Sequence, residues 1–231
     1  MNGEIFMKKL LLLLLLIIPS IVCASTYKAV DLSIDIDDNM YTVVTRDNLK
    51  GNTKLQEYNV TEEDLGELFI KQSTYIDAFY LNNEEEIYKE IFVTIKDADL
   101  KYNLHKYGDA DLKKLEDEII QGYNPSLHGI YKNDKYKYVY MYYKQGSFYI
   151  ADYYTVINGK GYTIKLQSNK EFTDKDREAF ISIISGIKFE LDSKYEKRFN
   201  FNLSFIVALV FAAFAGGLTA YFTKRNNAKN K

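Results

Sequence analysis

The sequence is poor in the residues that crosslink a chain or carry thiol chemistry. Its 231 residues include one cysteine, two prolines and no tryptophan. The cysteine, Cys23, ends an N-terminal apolar segment that we expect to be removed. A mature chain without cysteine forms no disulfide, has no thiol nucleophile and binds no metal through thiolates. An apolar core alone must then stabilise its globular part, for which a length of about 170 residues is sufficient.

The N-terminal segment has the parts of an export signal. A basic pair, Lys8–Lys9, precedes the apolar run Leu10–Val22, and small or modest side chains follow. As a helix this run spans ~20 Å, too short for the ~30 Å hydrocarbon core of a bilayer. We predict a signal peptide at 1–24, cleaved after Ala24. Two alternatives stay open: retention of the uncut segment, and lipid attachment at Cys23, which the branched residue before it disfavours.

A second apolar run predicts a membrane anchor. Leu203–Phe222 is 20 residues long, and as a helix its ~30 Å matches the bilayer core. The residues after it include four basic side chains and no acid, which the positive-inside rule places in the cytoplasm. We therefore predict a charged stalk at 192–198, a transmembrane helix at 199–222 and a cytoplasmic tail at 223–231. The domain at 25–191 is expected outside the cell membrane.

Small residues recur along the predicted anchor in a way that suits helix pairing. They would allow a homodimer, although such residues are also common in transmembrane helices without any partner. The tail is too short to fold as a signalling domain, so we expect an envelope or membrane protein partner. The small residues are Ala208, Ala212, Gly216 and Ala220.

The charge of the domain disfavours anionic partners. Of the 30 basic residues, six flank the two apolar runs and 24 remain in the domain and stalk at 25–198. Of the 32 acidic residues, only Glu4 lies outside this segment, which leaves 31 and a net charge of −7. Binding to nucleic acid requires a basic face, so we expect no nucleic-acid partner.

Residue patterns predict an α+β fold with an antiparallel sheet and helices packed on it. Apolar residues alternate with polar ones from Val30 to Ile36, as in a strand with one face in water. Thr61 and Thr173 each precede acidic residues, as helix N-caps do. The predicted order is ββαββαββββαβ. Its further elements are strands Met40–Thr45, Tyr75–Leu81, Ile87–Ile95, Gly129–Lys132, Tyr136–Lys144, Phe148–Ile157 and Gly161–Gln167, a loop at 47–59, a helix Asp111–Gln121, and a closing strand Ile187–Leu191.

One stretch resembles a known family. The hairpin Tyr153–Ile164 around Asn158-Gly159, followed by a capped helix ending at Gly186–Phe189, is similar to the end of PsbP-like domains. This superfamily is shared by the extrinsic PsbP subunit of photosystem II and a eukaryotic Ran-binding import factor. The resemblance covers most of 29–191 and implies an α/β/α sandwich, here a bacterial membrane-anchored member. It implies binding of proteins or small ligands without catalysis, and it assigns no functional residue.

Motifs for catalysis and metal binding are weak. His105 and His128 lie in polar or strand-entry settings without a nucleophile motif. Asp35–Asn39 begins like a calcium loop but lacks its glycine and its closing glutamate, and Asp109–Asp111 is better explained as a helix cap. We expect a non-catalytic binding module with no cofactor and no metal. The alternative is a hydrolase of cell-wall material that uses two of the many carboxylates.

Four tyrosines form the remaining candidate site, a possible surface for a binding partner. They alternate along one predicted strand, so their rings should share a face. They either fill the space between sheet and helix or form an exposed platform for a partner. The candidate partner-binding residues are Tyr136, Tyr138, Tyr140 and Tyr142.

Overall fold

The computed structural model describes residues 24–58, 60–100 and 102–191. The predicted signal peptide up to Cys23 lies outside these residues. So do the predicted stalk, transmembrane helix and tail at 192–231, including the stripe of small residues. Among the described residues, no helix has both the length and the apolar character needed to cross a membrane.

The described part of the chain has a mixed α+β fold with two antiparallel sheets. The strands are β1 Ala24–Ala29, β2 Leu32–Asp37, β3 Thr42–Thr45, β4 Thr74–Asn82, β5 Ile87–Asp97, β6 Leu127–Lys132, β7 Lys137–Gln145, β8 Phe148–Ile157, β9 Lys160–Ser168 and β10 Lys188–Phe189. The α-helices are α1 Glu62–Lys71, α2 Asp109–Ile119 and α3 Asp174–Gly186, with 3-10 helices at Thr53–Tyr58 and Leu104–Lys106.

The two sheets and the helices form layers. The large sheet has seven strands in the order β3-β4-β5-β9-β8-β7-β6, and the small sheet has the order β1-β2-β10. On one face of the large sheet, α1 and α2 close a core that includes Leu65, Phe92 and Leu115. On the other face, α3 and the small sheet close a second core that includes Ile34 and Phe180. The large sheet is therefore the middle layer.

Local sequence signals explain where the main elements begin and turn. Thr61 caps α1 by accepting a hydrogen bond from the amide of Asp64 at 3.1 Å, which satisfies an amide that has no partner within the helix. Between β8 and β9, Asn158 and Gly159 have φ of +49° and +75°, as a tight primed turn requires. The predicted alternation of β2 is confirmed, because Ile34 and its apolar neighbours in the strand are buried.

Several expectations need correction. The single predicted sheet is two sheets, and the turn after β2 leads from the small sheet to the large one. β1 was not predicted, because it has no apolar alternation and only its last residue, Ala29, is buried. The predicted loop at 47–59 contains a 3-10 helix, since Leu55 and Tyr58 insert into the core there. The closing strand is shorter than expected, and Leu191 is exposed.

Candidate ligand-binding groove

The predicted tyrosine ladder lies mostly in the core beneath α3. Tyr136, Tyr138 and Tyr142 are at most 6% exposed, whereas Tyr140 is half-buried. Tyr153 on the neighbouring strand packs among these rings and stacks on Tyr140 with ring centroids 5.5 Å apart. The ladder therefore fills the space between sheet and helix. An exposed platform does not fit the three buried rings, and a role of these tyrosines in partner binding stays a prediction.

Their neighbours on β8 divide between the two faces of the sheet. Tyr149 and Tyr153 pack in the core under α3, whereas Tyr154 packs in the core under α1 and α2. This follows from strand geometry, because successive side chains point to opposite faces. Tyr153 also meets Phe180 of α3 edge to face at 5.5 Å. Aromatic packing thus fixes α3 on the sheet.

The histidines and the suspected metal ligands lie apart from one another. His128 Nδ1 lies 2.6 Å from Glu116 Oε1 at the sheet edge. Burial lowers the pKa of His105, helped by two nearby lysines. Asp109 pairs with Lys132 at 2.6 Å, and the N-cap of α2 is Gly108, so the expected aspartate cap is corrected. Among the described residues, no group of three or more His, Cys, Asp or Glu could hold a metal ion.

A cavity of about 620 Å³ opens between α3, the small sheet and strands β4, β5 and β9 of the large sheet. Its floor is apolar and belongs to the core. Three small residues of its helix wall recur at spacings of three and four, so they share one face of α3. We call this cavity the groove. It consists of the floor Ile91, Leu166 and Phe180, the helix wall Ala179, Ser182 and Gly186, and the strand wall Asp35 and Asp37.

One end of the groove is polar. Lys89 of β5 forms an ion pair with Asp176 in the first turn of α3, and its Nζ lies 5.6 Å from the centroid of the Tyr80 ring. Tyr41 adjoins Tyr80, with ring centroids 6.0 Å apart. Burial raises the pKa of Tyr41 to about 12, with Asp176 and Tyr80 adding to the effect. Tyr41 is therefore a protonated hydrogen-bond donor at neutral pH.

Helix capping fixes the position of this ion pair. The amide of Asp176 donates to the hydroxyl of Thr173, while Asp176 Oδ2 accepts from the Thr173 amide at 2.9 Å. The sequence Thr173-Asp174-Lys175-Asp176 predicts this reciprocal capping box. Burial acts to raise the pKa of Asp176, but hydrogen bonds from Lys89 and Thr173 outweigh it and hold the pKa below its ordinary value.

The strand wall presents acidic side chains. Asp35 Oδ1 accepts from the Thr26 hydroxyl at 2.5 Å, and Asp37 Oδ1 accepts from the Asn39 amide at 2.9 Å. The start of the suspected calcium loop is thus part of the groove wall. Both carboxylates lie on the face of β2 opposite to the buried Ile34 and Ile36, as the alternation in the sequence predicts.

The other face of the sheet holds a buried polar group that the sequence analysis missed. Lys165 and Asp152 are cross-strand partners at most 3% exposed, and the Tyr143 hydroxyl donates to Asp152 Oδ2 at 2.9 Å. Burial raises the pKa of Asp152, and the nearby Lys165 and Tyr143 oppose that rise. The available signal was one charged residue in β8, whose other residues are uncharged, and a lysine between Ile164 and Leu166 in β9.

The solved structures to which this chain is similar include the solution structure of cyanobacterial PsbP (CyanoP) from Synechocystis sp. PCC 6803, at 15% identity and a TM-score of 0.45, covering 74% of this chain and 95% of that chain. No family model matches the chain, and no curated protein matches it. CyanoP bears the name of the family that the sequence resembles. Membership of that family stays a prediction.

Proposed function

We propose that this protein is a non-catalytic binding module, tethered to the outer face of a cell membrane, that takes its ligand in the groove. The groove is the observation that carries the proposal. Its volume of about 620 Å³ lies within the range of roughly 300–1,000 Å³ typical of ligand pockets. It also combines an apolar floor with a few polar groups at one end, as such pockets do.

The fold supports a groove that is ready to bind. Its helix wall is fixed by the Thr173–Asp176 capping box and by Phe180 packed on Tyr153. Its floor consists of Ile91 and Leu166 from the central strands β5 and β9 and of Phe180 from α3. Rigid walls reduce the conformational entropy that the protein loses on binding.

Tethering rests on the sequence outside the described residues. The apolar run 203–222 and the basic tail support a single-pass anchor, and the N-terminal run supports export, whether or not it is cleaved after Ala24. Phe189 pairs with Leu32 and Ala24 pairs with Asp37, so the described residues begin and end at opposite ends of β2.

Photo-crosslinking in the native membrane tests this proposal. A photoreactive side chain at Ala179, which lines the groove, is compared with one at Glu178, which is exposed on α3 but does not line it. We expect an adduct specific to position 179. Identical adducts at both positions, or none at position 179, would contradict a binding role for the groove. An envelope protein in that adduct would identify the expected partner.

A further inference from the structure

We infer that two copies of this protein pair through the outer edge of β6, which joins their large sheets into one continuous sheet. No residue of β6 lines the groove, so the inference goes beyond the proposed function. Three features carry it: an edge that is open to another strand, a register in which β6 matches a second β6, and complementary charges across the two-fold axis.

The two edges of the large sheet differ in protection. At one edge β3 has only four residues, and the Asn48 side chain bonds the amide of Thr45 at 2.7 Å and the carbonyl of Val43 at 3.2 Å. At the other edge β6 has six residues and pairs with β7 without a bulge. It contains no proline, and its one lysine, Lys132, is its last residue. A strand edge that lacks such protection is a template for pairing with another chain.

The outward backbone groups of β6 follow from its pairing with β7. In the turn after β6, the amide of Asn133 donates to the carbonyl of Tyr136 at 3.1 Å. Backbone groups along a strand alternate between its two sides, so every second residue counted back from Asn133 bonds to β7. The residues between them, His128, Ile130 and Lys132, direct their amides and carbonyls outward. Among the described residues, no strand pairs with β6 on that side.

A two-fold axis at Ile130 matches this edge to itself. It places Ile130 opposite its own copy and His128 opposite Lys132 of the second copy. The outward groups then meet in the hydrogen-bonded pairs of an antiparallel ladder. On the other face Gly129 lies opposite Tyr131 of the second copy, so no two large side chains meet where the strands come closest. An isologous contact of this kind closes as a dimer.

Charges near the axis favour a second copy as the partner. His128 Nδ1 lies 2.6 Å from Glu116 Oε1, and the Glu116 side chain is 6% exposed. The two-fold axis brings Lys132 of the second copy beside this pair, at both ends of the contact. Lys132 can exchange partners at little cost, because its ion pair with Asp109 has side-chain exposures of 45% and 81%. Opposite charges on facing strands stabilise a sheet.

The predicted anchor supports the pairing. Two short paired strands bury less than the ~1,200 Å² of a stable protein interface, so the contact needs a high local concentration. Anchoring in one membrane supplies it, because linked binding sites meet at a raised effective concentration. The predicted stalk at 192–198 can extend to ~24 Å, which lets the domains of neighbouring anchors reach each other.

Disulfide crosslinking of the full chain in its native membrane tests the pairing. With Cys23 replaced by serine the chain has no cysteine, so Ile130→Cys provides a single thiol at the axis. The Cα atoms of a hydrogen-bonded pair lie about 5.5 Å apart, within the range of disulfides. We expect mild oxidation to produce a linked dimer. The control Lys28→Cys is exposed on the edge strand β1 and should remain monomeric.

Two further thiols test the register. His128→Cys and Lys132→Cys each lie about 14 Å along the strand from their own copies, so neither should crosslink alone. Co-expression of the two variants should give the mixed dimer. In that pair, Ile130→Lys places two ammonium groups at the axis and should lower the yield several-fold, since like charges on facing strands are destabilising. Ile130→Thr, which is also β-branched, should preserve the yield.

The contradicting outcomes are specific. No disulfide at position 130, or equal yields at positions 130 and 28, overturns the inference. A mixed dimer that survives Ile130→Lys, or His128→Cys that crosslinks alone as well as it does with Lys132→Cys, also overturns it. So does a dimer that Ala212→Cys links within the predicted anchor while position 130 does not crosslink. The photo-crosslinking at position 179 is independent of these results, so the binding role of the groove stands or fails separately.

Discussion

Lys165 and Asp152 face each other across the centre of the large sheet, with Lys165 Nζ 3.6 Å from Asp152 Oδ1 and both side chains almost fully buried. Removing one member of a buried ion pair leaves the other charge in a medium that solvates it poorly. We expect Asp152→Asn to lower the free energy of unfolding by about 3–5 kcal/mol. Urea unfolding monitored by tyrosine fluorescence suits a chain with 21 tyrosines and no tryptophan.

A cross-strand pair at the surface provides the control. Lys160 and Asp97 lie 3.5 Å apart, with side-chain exposures of 37% and 97%. Asp97→Asn should change stability by less than about 1 kcal/mol, because water screens exposed pairs. Equal effects of the two substitutions would show that burial does not control the strength of the Lys165–Asp152 pair.

Two buried tyrosines should respond oppositely to the same substitution. The Tyr138 hydroxyl has no hydrogen-bond partner among the described residues, whereas the Tyr143 hydroxyl donates to Asp152. Tyr143→Phe should destabilise the fold by about 1–3 kcal/mol, since it leaves a buried acceptor short of a donor. Tyr138→Phe should be neutral or stabilising. Urea unfolding of both variants checks this, and a loss at Tyr138 equal to that at Tyr143 would contradict the contacts described.

The Asp176 carboxylate should make stability depend on acid pH. Its pKa is held below the ordinary value, so the folded state favours the charged form, and the resulting stability is present above pH ~4. That stability is lost as pH falls through the folded pKa. We expect Asp176→Asn to lower the free energy of unfolding by about 1 kcal/mol at pH 7 and by progressively less below pH ~4. Thermal unfolding across this pH range measures the difference.

Asp174 is the matched control for that titration. It lies in the same first turn of α3, but its side chain is 94% exposed and its nearest basic group, Arg177, is 3.7 Å away. Asp174→Asn should therefore produce a smaller and flatter difference. If the two profiles coincide, the acid dependence belongs to the helix terminus in general and not to the Lys89–Asp176 pair.

Tyrosine rings cover two glycines of the large sheet. A Cβ at Gly161 would lie 3.0 Å from ring atoms of Tyr154, and one at Gly129 would lie 3.1 Å from the ring of Tyr140. Tyr154 is buried and cannot retreat, whereas Tyr140 is half-buried at the sheet edge. We expect Gly161→Ala to lower the free energy of unfolding by about 1–3 kcal/mol through overpacking, and Gly129→Ala to lower it by less. Thermal unfolding of both variants measures the difference. The reverse order would contradict this packing.

Periodicity and capping signals predicted the elements well, because they are local. Thr61 and Thr173 set the helix starts, Asn158 and Gly159 set a hairpin, and the alternation in β2 is real. The division into two sheets was not predictable, since pairing of β2 with β10 joins residues more than 150 positions apart. Local sequence signals such as periodicity and helix caps do not indicate such long-range pairing.

The candidate site was less accessible to sequence reasoning than the fold. The tyrosines were the visible signal, yet most of them proved to be core. The groove joins Asp35, Lys89 and Asp176 from three distant segments, each of which is an ordinary charged residue in its own stretch. The buried Lys165–Asp152 pair could not be predicted for the same reason, because each partner alone is an ordinary charged residue in its strand.

The central claim is that the groove faces the outside of the cell and takes a ligand. With Cys23 replaced by serine, Ala179→Cys and Glu178→Cys each provide a single thiol, and a membrane-impermeant thiol reagent on intact cells measures their rates of modification. We expect both positions to react without permeabilisation and an extract of the native cell envelope to slow the reaction at position 179 alone. Reaction only after permeabilisation, or equal slowing at both positions, would contradict the account.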